Sequence, residues 1–111
     1  MSVYVDEACY RYRRMIMCHM LADTPAELHA MADRIGVARR WYQRHASTPH
    51  YDIAKSKRQL ALAAGAIELG RREVVEVIHR IREAVAAVTV EGRAWIEDCR
   101  GPALLLKGPA R

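Results

Sequence analysis

Residues 15–36 read MIMCHMLADTPAELHAMADRIG, and this stretch decides the fold class. Met15 to Ala22 is an apolar run without helical periodicity, the pattern of a buried strand. Thr24 then supplies an N-cap, Pro25 stands at the first helical position, and Glu27 completes a Thr-x-x-Glu capping box. Leu28, Met31, Ala32 and Ile35 recur at i, i+3, i+4 and i+7, which gives the helix one apolar stripe. Gly36 follows as its left-handed stop. A buried strand feeding an amphipathic helix is the unit of a layered α/β domain.

The alternation extends outward in both directions. Val3-Tyr4-Val5, β-branched and aromatic, reads as an opening strand that ends at Asp6, and Cys9 to Arg14 reads as a loop. Trp41-Tyr42-Gln43 reads as a short strand and Arg44 to His50, with Ser47, Thr48 and Pro49, as a loop. Asp52 is placed to cap a second helix from Ile53 to Ala64, closed by Gly65, with Ile53, Leu60, Ala61 and Ala64 on one face. Ala66 to Leu69 is a further strand. A longer helix from Arg71 to Ala87 carries the stripe Val74, Val77, Ile78, Ile81 and Val85. Glu91 to Cys99 reads as a short helix burying Trp95 and Ile96, stopped by Gly101-Pro102 and followed by an apolar segment and a frayed tail from Ala103 to Arg111. The order is β-β-α-β-α-β-α: an α/β domain over residues 1–88, with a helical C-terminal extension over 89–111 packing on it. An all-helical arrangement is the alternative, because the strands are short.

A chain of 111 residues fits one domain, and 51% hydrophobic with 28% charged residues excludes a disordered chain. Cys9, Cys18 and Cys99 are an odd number without a CxxC pair, which favours thiols in a reducing compartment over a disulfide framework. The opening MSVYVDE lacks a basic start and an apolar stretch, and no run reaches the roughly 20 apolar residues of a membrane span. A cytoplasmic protein with no membrane association is expected. The net charge of +5 attracts nucleic acid, nucleotides or other anions, and equally serves solubility alone.

Polar chemistry gathers between His19 and Arg58, at three strand-to-helix junctions: Asp6; His19 with Asp23; and His50, Asp52, Lys55, Lys57 and Arg58. Parallel strands would bring these groups to one edge of a sheet, beside helix N-termini. Lys55, Lys57 and Arg58 oppose the macrodipole of the second helix, at a cost on the order of 0.3–1 kcal/mol each when exposed. A phosphate bound by them would reverse the sign; extension of the side chains into screened solvent is the plainer account. His19 and His50 are candidate acid–base groups with Asp52, and Asp6, Asp23 and His29 are candidate metal ligands. Each imidazole taken singly is more often a hydrogen-bonding residue than a ligand. His29 and Asp33, at i and i+4, share a helix face. Tyr10-Arg11-Tyr12-Arg13-Arg14 interleaves rings and cations, as does Arg39-Arg40-Trp41-Tyr42. Both suit stacking on bases if the rings are exposed, and packing on a sheet if they are not. No P-loop, GxGxxG, serine elbow or CxxC zinc pattern is present.

The ordered set Val3-Tyr4-Val5-Asp6, Cys18-His19-Met20, Ala22-Asp23-Thr24-Pro25-Ala26-Glu27-Leu28-His29, Arg34-Ile35-Gly36, Pro49-His50-Tyr51-Asp52-Ile53, Ser56-Lys57-Arg58 and Ala64-Gly65-Ala66 resembles a family of small proteins of bacteria and their phages, known as a domain of unknown function. The resemblance spans about Ser2 to Arg72. It implies a bacterial or phage origin and puts the signature on His19, Asp23, His29, His50, Asp52, Lys57 and Arg58, with no activity, cofactor or partner attached.

Two functional readings stand. One is a site for a phosphate-bearing ligand, a small molecule, a nucleotide or a nucleic-acid end, with phosphoester hydrolysis assisted by a divalent metal. The other is a non-enzymatic module that binds nucleic acid or protein through its basic surface. A homodimer through the long third helix is compatible with either.

Overall fold

An eight-residue strand, β3 (Met15–Ala22), organises the computed structural model, which describes residues 2–7, 10–44, 46, 48–87 and 90–107. Cys9, Ser47 and the tail from residue 108, read above as loop and frayed end, lie outside the described residues. Strand β1 (Val3–Asp6) pairs antiparallel with the C-terminal half of β3, and β2 (Tyr10–Tyr12) pairs antiparallel with its N-terminal half. On the other side of β3 lies β5 (His50–Ala54), also antiparallel, flanked by the two-residue β4 (Tyr42–Gln43). The remaining strand, β6 (Ile67–Leu69), runs parallel to β1. The sheet order is β4-β5-β3-β1-β6, with β2 paired to β3 off this path. The mixed α/β class is as expected from the sequence. The assumption of parallel strands is not, since among the described residues only the β1–β6 pair is parallel.

Alternation along the strands gives the sheet two different faces. Val3, Val5, Cys18, Met20, Tyr51 and Ile53 point to one side and are buried. Helix α1 (Pro25–Ile35) and helix α2 (Lys55–Ala63) close that side, adding Leu28, Ala32, Ile35 and Ala61 to a single core. Fully burying a side chain such as Met20 or Ile53 contributes about 1.5–3 kcal/mol. Helix α3 (Arg71–Ala86) covers the Tyr4–Leu21 end of the opposite face, where the Arg80 guanidinium donates to the Tyr4 hydroxyl at 2.8 Å. Helix α4 (Val90–Lys107) packs on α3 and α1 and buries Trp95 completely. Gly92 makes this crossing feasible. A Cβ there would lie 2.2 Å from the Ala87 carbonyl oxygen and 2.4 Å from that of Ala84, so any side chain would push the helix away.

Helix α1 forms as its signals dictate. The Glu27 N–H donates to Thr24 Oγ1 at 3.3 Å, the Thr24 hydroxyl donates to the Glu27 carboxylate, and Gly36 ends the helix at φ 79° while Val37 N–H reaches back to the Ala32 carbonyl. Three other expectations are corrected. Cys9 to Arg14 is not all loop: Tyr10–Tyr12 is a strand joined to β3 through Arg13-Arg14, and Arg13 takes the positive φ (57°) that such hairpin turns require. The second helix starts two residues later than expected, and Asp52 does not cap it. His50–Ala54 pairs with β3 instead, and the N-cap is Ala54 without a side-chain bond. Tertiary pairing there outweighs local capping preference. Helix α4 continues past Gly101-Pro102 to Lys107, through a run of good helix formers (Ala103 to Leu106). Among the described residues no helix is long and apolar enough to cross a membrane.

Candidate metal centre

The register of three antiparallel strands assembles a cluster on the face that α3 leaves partly open. His19 on β3 stands directly opposite Asp52 on β5, so both side chains project from the same side. His50, two residues before Asp52, projects there too. Asp6, the last residue of β1, reaches the cluster from the other flank of β3. His19 Nε2 lies 3.8 Å from Asp52 Oδ1, and His50 Nε2 lies 3.2 Å from the same oxygen. One ligand atom from each of His19, His50 and Asp52 falls within 4.8 Å of the others. A tetrahedral ion with ligands at 2.0–2.1 Å needs them about 3.4 Å apart, so small side-chain adjustments close the set around one cation.

Both imidazoles are held from behind. The carboxylate of Asp6, only 4% exposed, accepts the His19 backbone N–H at 2.9 Å and faces His19 Nδ1 at 2.7 Å. His50 Nδ1 lies 2.8 Å from the Thr48 carbonyl oxygen, which can only accept. With an acceptor behind each ring, Nδ1 is the donor, and the nitrogen that faces Asp52 and could hold an ion is Nε2 in both. That is the outer arrangement of metal-binding histidines, whose second nitrogen is committed to a carboxylate or a carbonyl. The hydrogen bond to Asp6 raises the His19 pKa above its usual 6.5, against the opposing effect of burial, and the charges of Asp6 and Asp52 add to the rise. Desolvation of the Tyr10 hydroxyl, together with the nearby Asp52 carboxylate, pushes its pKa up to about 12. Beside the cluster opens a cavity of about 320 Å³, lined by His19, His50 and Thr48 on one wall and by Leu21, Val74 and Ile78 on another. Thr48 Oγ1 is buried there without a hydrogen-bond partner among the described residues.

The other sequence candidates are elsewhere. Asp23, at the far end of β1, accepts from the Ser2 N–H, the Tyr4 hydroxyl and the Arg80 guanidinium. His29 lies on the opposite face of the sheet, with Nδ1 2.6 Å from the Tyr51 hydroxyl and Nε2 2.8 Å from Asp98 of α4. Tyr42 donates to the same carboxylate at 2.5 Å, and its pKa is driven up by burial and by Asp98. Asp33 pairs with Arg39 rather than with His29. Lys55 is exposed. Lys57 Nζ lies against Gly36, where the C-terminus of α1 offers partial negative charge. Arg58 is buried, donates from Nε to the Asp6 carbonyl at 2.9 Å and pairs with Glu68. The unfavourable placement of Lys57 and Arg58 at the start of α2 is thus offset within the chain.

Sequence reading took Tyr10 as a ring suited to stacking on bases, not as a neighbour of His19 and Asp52, and gave Thr48 no role. The signal for Tyr10 was the Tyr-Arg-Tyr alternation, which puts Tyr10 and Tyr12 on one face once the segment is taken as a strand. Thr48 acts through its main-chain carbonyl, for which residue type gives no signal.

No curated protein and no solved structure matches the chain. A sequence family does match over residues 3–81, which takes in the whole sheet and most of α3 and so runs further than the span to Arg72 read from the motifs. The chain belongs to that family, described as a protein of unknown function (DUF4031).

Proposed function

We propose that this protein binds one divalent transition-metal ion through His19 Nε2, His50 Nε2 and the Asp52 carboxylate, and uses it to hydrolyse a phosphoester. The observation that carries the reading is the pair of backed imidazoles: Asp6 and the Thr48 carbonyl occupy both Nδ1 positions, leaving two Nε2 atoms and one carboxylate oxygen to converge. Two nitrogens and one oxygen suit zinc, and also suit iron(II) or manganese. Three protein ligands leave coordination positions for water and substrate, as hydrolytic centres require.

A bound ion polarises a phosphoryl oxygen and lowers the pKa of the water it carries. Hydrolysis then joins the water oxygen to phosphorus, breaks the bond from phosphorus to the ester oxygen, and returns a proton to the departing alcohol. The basic balance of the chain, +5, suits a negatively charged substrate. The cavity beside the cluster is available to the part of the substrate next to the phosphate.

Metal-stripped protein titrated calorimetrically with Zn2+, Mn2+ or Fe2+ should take up one ion per chain, and His50→Ala should abolish uptake. The loaded protein should cleave bis-p-nitrophenyl phosphate in a reaction stopped by EDTA. If folded wild-type protein binds none of the three ions, the reading is wrong; if it binds metal without cleaving, the hydrolytic part is.

A further inference from the structure

We infer that the substrate of this site is single-stranded nucleic acid, laid along the β2–β3 hairpin so that its bases stack on Tyr10, Tyr12 and Trp41. This inference rests on the phosphoester reading above and names its substrate class. The first observation is exposure. An antiparallel sheet can leave one face to solvent, and the rings on that face here are Tyr10, 38% exposed, and Tyr12, 42% exposed. They occupy one face of β2, the face of β3 that carries His19, beyond the part that α3 covers.

The second observation is continuity with the metal centre. The Tyr10 ring lies 5.4 Å from the His19 ring at a shallow 30° tilt, and His19 meets His50 edge to face at 5.1 Å. Two residues along β2, Tyr12 meets Trp41 edge to face at 6.0 Å. A row of flat surfaces therefore leads from the hairpin to the candidate ligands. The third observation is charge. Arg13 stands over the Tyr12 ring at 5.4 Å and Arg40 over the half-buried Trp41 ring at 5.6 Å, and Arg14 is exposed at the hairpin turn, while Arg11 projects from the other face of β2. The hairpin from Tyr10 to Met15 contains no acidic residue.

Rings alternating with guanidinium groups form the surface that single strands select. Every base offers a π-face to a ring, and each phosphate offers its charge to an arginine. A duplex hides its base faces and would gain only the charge term. A protein partner would need apolar complementarity, whereas the cations here lie directly over the rings.

Fluorescence anisotropy with a labelled oligonucleotide of about 15 nucleotides tests this, in EDTA so that the metal plays no part. The single strand should bind more tightly than the same sequence in duplex form. Tyr12→Ala should weaken binding about tenfold, whereas Tyr12→Phe, which keeps the ring, should not. Tyr12 is exposed and outside the metal centre, so Tyr12→Ala should still bind metal and unfold at the wild-type temperature. Equal affinity for duplex and single strand, or indifference to Tyr12→Ala, would overturn the inference even if metal binding is found. Single-strand binding in a protein that fails the calorimetric test would instead remove the hydrolytic reading and leave the platform standing.

Discussion

Replacing Asp6 with Asn probes the proposed metal centre without touching a proposed ligand. The carboxylate accepts two hydrogen bonds from His19, one from the backbone N–H at 2.9 Å and one at Nδ1 at 2.7 Å. An amide offers one oxygen and one NH2, so it cannot accept both. If the oxygen keeps the backbone N–H, the NH2 faces Nδ1, which must become the acceptor, and the ring proton moves to Nε2. That is the tautomer that cannot hold a metal. If the amide turns the other way, the buried backbone N–H loses its acceptor, at a cost of about 1–3 kcal/mol. Altering such an outer partner typically lowers metal affinity 10–100-fold, or about 1.4–2.7 kcal/mol. Zn2+ titration of wild type and Asp6→Asn at pH 7.5 measures the loss, and nitrogen-15 NMR of the metal-free imidazole reads the tautomer. An Asp6→Asn variant with wild-type affinity and an unchanged tautomer would refute the assigned role of Asp6, and with it the claim that Nε2 is preset for metal.

Two further outcomes follow from the same geometry. The raised pKa of His19 is a folded-state property caused chiefly by Asp6. Its stabilisation of the metal-free protein should be fully present below about pH 6.5 and lost as the pH rises through the folded value. Urea unfolding across pH 5.5–8.5 (roughly the His range) should therefore show wild type and Asp6→Asn converging as the pH rises; a constant gap would contradict it. On the other face, Asp98 accepts from both His29 and Tyr42 and ties α4 to α1 and β4. Asp98→Ala strands two donors and should cost about 2–4 kcal/mol in urea unfolding, with Asp98→Asn costing less than half as much. A loss below about 0.5 kcal/mol would mean that water replaces the carboxylate freely.

The legible and illegible parts of this protein divide along a physical line. Helix α1 was readable to the residue because every signal for it is local: Thr24, Pro25, Glu27 and Gly36 act within a turn of where they stand. The centre was half legible. His50 and Asp52 are two apart, so a strand places them on one face, but Asp52 was also a good cap, and local evidence prefers the cap. Only the ladder with β3, which sets Asp52 opposite His19 across more than thirty intervening residues, decides between them. The hairpin was missed for the converse reason. Its turn is Arg13-Arg14 rather than the Asn-Gly that announces such turns, and the strand before it buries nothing.

Charge was the least legible feature. Lys57 and Arg58 look mispositioned at the start of α2 only while that helix is considered alone. In the folded chain the Lys57 ammonium meets the negative end of α1, and the Arg58 guanidinium reaches the main-chain carbonyl of Asp6. The second contact matters for the site. It fixes the backbone of the residue whose carboxylate orients His19, so a cation that seemed to await a phosphate works at one remove from the proposed metal ligands. Electrostatic tension along a helix therefore signals that a partner exists, without saying whether the partner is a ligand or another part of the chain. On the Tyr10–Arg14 hairpin, by contrast, the Arg13 guanidinium stands over the exposed Tyr12 ring, open to a partner from outside the chain.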